Sequence, residues 1–138
     1  MNPVSLDIMN LLVEDGKGEF ASTKEITWGL FIAEEPPTPN QTVTVYDVMG
    51  SADKVYSGGS NHAMRSLFQV RVRGNSYMAS FEKIEQCRKA LDRRGKFRVS
   101  NVDYDNILMD PEPMWLKKDD NQRHIFVING IAFRQERG

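Results

Sequence analysis

The sequence predicts an α+β fold, a mostly antiparallel sheet with two principal helices packed on it, and three observations predict it. Six short segments alternate apolar with polar residues or run apolar for the length of a strand. Two longer segments, opened by capping residues and closed at glycines, read as helices. The order along the chain is helix, two strands, long loop, strand, helix, three strands, which is the pattern of an α+β domain. The 138 residues are 40% apolar and form one domain over 1–138. A chain of that length buries roughly two-thirds of its unfolded surface, enough for a core without staples.

The first helix starts at Ser5, whose hydroxyl is placed to cap the amides of the next turn, and stops at Asp15-Gly16. Leu6, Ile8, Met9, Leu11, Leu12 and Val13 cover more than one stripe of it, so it is buried broadly, against its own sheet or a neighbouring subunit. After a loop at Gly16-Lys17-Gly18-Glu19, Ile26 to Ala33 reads as a strand apolar on both faces and therefore interior to the sheet. Pro36, Pro37 and Pro39 end it, since proline supplies no ladder amide. Thr42 to Asp47 is the next strand, with Val43 and Val45 inward. Residues 49–64 hold Gly50, Gly58 and Gly59 and no hydrophobic period, the pattern of a long mobile loop.

Leu67 to Arg73 alternates Phe68, Val70 and Val72 with Gln69, Arg71 and Arg73, giving one core face and one solvent-facing polar face. Asn75 or Ser76 caps the second helix. It runs to about Arg94-Gly95 with Tyr77, Phe81, Ile84, Cys87 or Arg88, and Leu91 on one stripe and Glu85 paired with Lys89 outside. Val102 to Met109 is a strand ended by Asp110-Pro111-Glu112-Pro113. Met114 to Lys117 and His124 to Arg134 form a hairpin around Asp119-Asp120-Asn121. Asn129-Gly130 is a strong turn signal, yet a turn there leaves only a short tail strand. The strand is therefore expected to run through it, with a bulge at Gly130.

Eighteen bases against 19 acids leave a net charge of −1, which argues against a protein that grips nucleic acid by neutralising phosphates. The charges fall in blocks: residues 1–35 and 99–120 are acidic, and 83–98 are basic. Cys87 is the only cysteine, which excludes an internal disulfide and a multi-cysteine zinc site. No apolar run approaches the roughly 20 residues that span a bilayer, and no export signal is expected. His62 and His124 stand far apart, and neither has a histidine four residues on. Asp110 and Glu112 beside Lys117 and Lys118 lack metal-nuclease spacing, and Gly58-Gly59-Ser60 lacks the Gly-Lys-Ser/Thr of a phosphate loop. No catalytic set, metal site or cofactor is expected.

Gly16-x-Gly18, then Ile32-Ala33-x-x-Pro36, Pro39-Asn40, Val43 to Asp47 and a glycine-bearing loop resemble the tail terminator, or tail completion, minor capsid proteins of long-tailed bacteriophages. The run Phe68-Gln69-Val70-Arg71-Val72-Arg73-Gly74, followed by a tyrosine-bearing helix ending at Leu91, is similar to the same family and is the most specific piece. The resemblance implies a non-enzymatic virion protein, a homohexameric ring at the head-proximal end of the tail tube, assembled in the host cytoplasm. There it stops tube polymerisation and gives the head its docking surface. Its implied partners are copies of itself, the tail tube protein and a head-completion or neck protein, with genomic DNA passing through unbound and no membrane contact. Rival readings are another connector or adaptor ring, a tail-tube subunit, or a small nucleic-acid-binding domain using Arg71 and Arg73.

Within that ring, Gln69, Arg71 and Arg73, with Leu6 and Met9, are the expected subunit interface, because the guanidinium fork suits carboxylates such as those of the acidic blocks. Asp53, Lys54, Val55, Tyr56 and Asn61, around the apolar pair Val55-Tyr56, are the expected partner-docking loop.

Overall fold

The computed structural model describes residues 2–14, 19–20, 28–52, 63–99 and 101–136. The helices are α1, Val4–Glu14, and α2, Tyr77–Leu91. The strands are β1 Glu19–Phe20, β2 Gly29–Ile32, β3 Thr42–Ala52, β4 Ala63–Gly74, β5 Phe97–Val99, β6 Val102–Met109, β7 Met114–Lys118 and β8 His124–Glu136. They form one sheet in the order β1-β2-β3-β4-β8-β6-β5, with β7 also paired to β8. β1, β2 and β3 run parallel and every other pairing is antiparallel, so the α+β reading stands with a mixed sheet.

Strand β8 is the spine. One edge of it pairs with β4 from Gly74↔His124 to Ala63↔Gln135. The other edge is shared: β7 takes the first half and β6 the second. Asp110 bridges the two, its amide bonding the Asn129 carbonyl at 3.0 Å. The strand does run through Asn129-Gly130, but the expected bulge is not at Gly130. The register shifts sit in the partner strands instead, between Tyr104 and Asn106 in β6 and between Trp115 and Lys117 in β7. What glycine supplies is space: a Cβ there would stand 2.5 Å from the Phe68 ring and 2.6 Å from Met109 Sδ.

One face of the sheet carries Leu30, Val43, Val45, Phe68, Val70, Val72, Phe126 and Ile128, and both helices pack on it through Ile8, Leu12, Ile84, Cys87 and Leu91. Cys87 is thus a core residue. Ser5 does not cap α1 with its own hydroxyl. Asp47 of β3 does so from outside the helix, taking the Ser5 amide at 2.9 Å and the Ser5 hydroxyl at 2.8 Å, where a carboxylate also meets the positive end of the helix dipole. One turn on, buried Asp7 accepts from the Tyr104 hydroxyl at 2.5 Å, and Arg134 bonds Ser66 Oγ, the Asn2 carbonyl and Tyr104. Burial, and then the bond to Asp7, push the Tyr104 pKa far above its ordinary value. The expected stop of α1 at Asp15-Gly16 lies outside the described residues.

Three further expectations change. The segment read as a loop over 49–64 is strand at both ends, because a shift between Val48 and Ser51 lets pairing resume at Ser51↔Arg65 and Ala52↔Met64; residues 53–62 lie outside the described residues. Helix α2 begins as expected, with Ser76 Oγ accepting the Ala79 amide, but it stops at Leu91. There the sheet captures the chain: the Arg93 amide bonds Ile107 O, and the Asp92 carboxylate takes the Met109 amide at 2.8 Å. Glu85 pairs with Arg88 at 2.9 Å, not with Lys89. The two short strands β1 and β5 offered no periodicity at two and three residues.

The opposite sheet face is covered in part by the chain between β2 and β3. Arg73, expected at the solvent, is 3% exposed. Its guanidinium donates to the carbonyls of Pro36 at 2.6 Å and Pro39 at 2.7 Å and pairs with Glu35 at 3.3 Å. Arg123 holds the same loop through Pro37 O at 2.7 Å and is itself gripped by Asp119 at 2.8 Å. Proline carbonyls accept but their nitrogens cannot donate, so a proline-rich loop is pinned most readily by cations.

Two outcomes test this account. Gly130→Ala should destabilise the fold by about 1–3 kcal/mol, read as a lowered melting temperature, since the Phe68 ring is fully packed and cannot yield; an unchanged melt would contradict the close approach. For Asp119, burial opposes ionisation, but the Arg123 amide and guanidinium and the Asn121 amide prevail and hold its carboxyl below the ordinary value. The stabilisation is then fully present above about pH 4, the unfolded value, and is lost as pH falls through the lowered folded value. The melting difference between the wild type and Asp119→Asn should be constant above about pH 5 and shrink in stronger acid.

Candidate interaction surface

Beyond the proline loop the second sheet face is partly open: Thr44 and Val127 are buried, Tyr46, Gln69 and Arg71 half-buried, and Val48 and Asn129 exposed. Cross-strand partners share a face, so Tyr46, Gln69 and Asn129 form one line across β3, β4 and β8, and Thr44, Arg71 and Val127 the next. Gln69 donates to Asn129 at 3.2 Å. The Arg71 guanidinium lies over the Tyr46 ring at 5.5 Å and that of Arg65 over Phe133 at 5.9 Å. Burial and then Glu35 raise the Tyr46 pKa, so that hydroxyl stays neutral. Val48 and Leu108 remain exposed on this face. Such a mixture of large apolar side chains, arginine and tyrosine is the composition of interfaces.

A second exposed group lies at the β7 edge. Met114 is 58%, Trp115 45% and Leu116 40% exposed, and Tyr77 and Met78 at the start of α2 stand out of the core as well. The Trp115 indole donates to His124 Nδ1 at 3.3 Å, and the Tyr77 ring meets His124 edge-on at 5.6 Å. Contiguous exposed apolar surface of this kind marks a contact site.

The residues singled out in the sequence are only partly brought together. Gln69 and Arg71 share the partly open face and are half-buried. Arg73 shares the face but is used within the subunit. Met9 is fully enclosed in the core, and Leu6 is half-buried on α1. Asp53, Lys54, Val55, Tyr56 and Asn61 lie outside the described residues. Reading by alternation missed Met114, Trp115 and Leu116. The signal was there: three large apolar residues in succession beside two prolines and two lysines cannot all face a core from one short strand.

No group of three His, Cys, Asp or Glu among the described residues stands close enough to hold a metal. An open cleft of about 550 Å³ is lined by Lys96, Phe97, Arg98, Asp103, Tyr104, Asp105 and Gln135. Its Phe97 and Tyr104 rings stack at 4.5 Å, and Arg98 and Asp103 pair at 2.8 Å, so its most prominent groups are spent on one another.

A family model described as bacteriophage tail terminator protein matches residues 10–133. No curated protein matches the chain. Among solved structures, a chain from the virion of a native gene transfer agent (GTA) particle is similar at a TM-score of 0.56 and 10% identity, over 76% of this chain and 78% of that one. At that identity the likeness bears on the fold alone. The family match spans nearly all of the sequence, so the chain belongs to the bacteriophage tail terminator family and is a structural protein of the virion tail.

Proposed function

We propose that the chain forms a closed ring of about six copies at the head-proximal end of the tail tube, where it stops tube polymerisation and presents the surface onto which the head docks. The observation that carries this reading is the family match over residues 10–133. The second sheet face supports it, because among the described residues Val48 and Leu108 are exposed there and the Arg71–Tyr46 pair is only half-buried. A ring subunit meets the next copy through two different patches, which makes uncovered surface at more than one place an expected property. Gln69 and Arg71 belong to one such patch in this proposal, and Leu6, on α1 at the other side of the sheet, belongs to a second. The segment joining β3 to β4, with Asp53, Lys54, Val55, Tyr56 and Asn61, meets the tube protein or the neck protein. A net charge of −1 suits a passage that DNA must cross without sticking.

The purified chain should show the mass of a closed oligomer, alone or after addition of tail tubes, and phage lacking it should build tubes of uncontrolled length. Arg71→Glu should fold normally, since the side chain is half-exposed, and should assemble poorly. A strict monomer that never joins tail tubes would refute the ring.

A further inference from the structure

The chain has two segments in which acids adjoin prolines, Glu34-Glu35-Pro36-Pro37 before β3 and Asp110-Pro111-Glu112-Pro113 between β6 and β7. The first is used within the subunit: it crosses the second sheet face, where Arg73 takes Glu35 and the carbonyls of Pro36 and Pro39. The second is not used. Asp110, Pro111 and Glu112 are exposed, and among the described residues neither carboxylate has a hydrogen bond or an ion pair. The second sheet face has the matching shortage. Four buried side-chain atoms of the described residues lack a hydrogen-bond partner, Glu35 Oε2, Thr42 Oγ1, Thr44 Oγ1 and Arg71 Nε. All four lie on this face, since Thr42 and Thr44 stand opposite Arg73 and Arg71 in the register and Glu35 is bound to Arg73. Buried polar groups in folded proteins are nearly always paired, so a deficit confined to one face points to a further molecule on that face. Arg71 is the charged member that lacks a counter-ion: its guanidinium lies over the Tyr46 ring at 5.5 Å and, among the described residues, meets no acceptor.

We infer that the Asp110–Pro113 segment of one copy docks on the second sheet face of the next, with Glu112 as the counter-ion of Arg71; this rests on the ring reading above. The subunit already shows the mode of binding in its own proline loop, where an acid and proline carbonyls together satisfy an arginine of the same strand face. A fork of guanidinium donors suits a carboxylate beside carbonyls that carry no competing amide. The apolar groups match as well. Four residues along β4 from Arg71 stands Leu67, in a row with Val48, Ile131 and Leu108 on the same face, and Val48 and Leu108 are exposed. Four residues on from Glu112 stands Leu116, exposed with Met114 and Trp115. An acid over Arg71 therefore leaves the leucine within reach of the apolar row, since four extended residues span about 13 Å on the face and no more than that in the segment. Two prolines restrict the segment before it binds, which lowers the entropy lost on docking. The face and the segment are different patches, so the contact is head-to-tail, as ring closure requires.

Charge reversal tests the pairing, with the full chain and tail tubes. Glu112→Arg and Arg71→Glu should each fold, one side chain being exposed and the other half-buried, and each should lower the amount of ring at a fixed protein concentration at least about tenfold. In a head-to-tail ring every contact joins one face to one segment, so the two single variants mixed in equal amounts can alternate around it. Both that mixture and the double variant in one chain should restore the ring. Single variants that assemble like the wild type overturn the pairing and leave the ring reading intact. So do single variants that fail and are restored by neither the mixture nor the double variant. Rings of normal mass that no longer join tubes assign both patches to the tube protein and also overturn it. Should Arg71→Glu melt early, Arg71→Lys takes its place: zero-length carbodiimide coupling should join the introduced amine to Glu112 of a neighbouring copy, read by mass spectrometry of the linked peptides. Coupling to a different carboxylate, or none in an assembled ring, overturns the pairing. A wild-type chain that stays monomeric with tubes present removes the ring reading and this inference with it.

Discussion

The structure depends on one strand keeping a single course through thirteen residues. β8 must offer one edge to β4 along almost its whole length and divide the other between β7 and β6. Any turn or bulge at Asn129-Gly130 would put the two halves of the sheet on different planes and separate Phe68 from Met109. Glycine at 130 prevents this by letting the Phe68 ring and the Met109 sulfur pack where a side chain would otherwise stand. The register shifts fall instead in β6 and β7, and the β4–β8 ladder is left unbroken.

Given that spine, buried charge fixes what lies above and below the sheet. On the helix face, the buried Asp7, Tyr104 and Arg134 group, helped by the exposed Asp47 carboxylate at the start of α1, ties α1 to β3, β4, β6 and β8 by hydrogen bonds that apolar packing alone cannot specify. On the other face, Arg73 and Arg123 tie down the proline loop. Removing one member of such a set leaves an uncompensated buried charge, which costs about 3–5 kcal/mol, so these groups are bound to the places where α1 and the loop sit. The consequence for function is a division of the second face. The part beneath the loop is closed, and the part around Tyr46, Val48, Gln69 and Arg71 is half-buried to exposed in the subunit.

Much of the fold was legible because its period is local. Phe68, Val70 and Val72 against Gln69, Arg71 and Arg73 announced β4, the limits of β6 could be read to the residue, and Ser76 marked the start of α2. The parts that were not legible depend on partners distant in sequence. Nothing in residues 1–15 shows that Asp47 will cap α1, and nothing around Arg94 shows that the carbonyl of Ile107 will end α2 early. Arg73 has the same alternation as Arg71, yet only Arg73 stands where the proline loop crosses, so one is buried and the other half-exposed. The family was readable from the Gln-Val-Arg-Val-Arg-Gly strand. The β7 surface was not read, although three large apolar residues in succession, Met114-Trp115-Leu116, cannot all face a core from one short strand.

The central claim is that this subunit closes the tail at its head-proximal end, and electron cryomicroscopy of assembled tails with this chain present tests it most directly. The account predicts one closed ring, one layer beyond the last tube ring on the head-proximal side, with this sheet and its two helices fitted once per copy. Density for this chain at the distal tip, or repeated along the length of the tube, would contradict it.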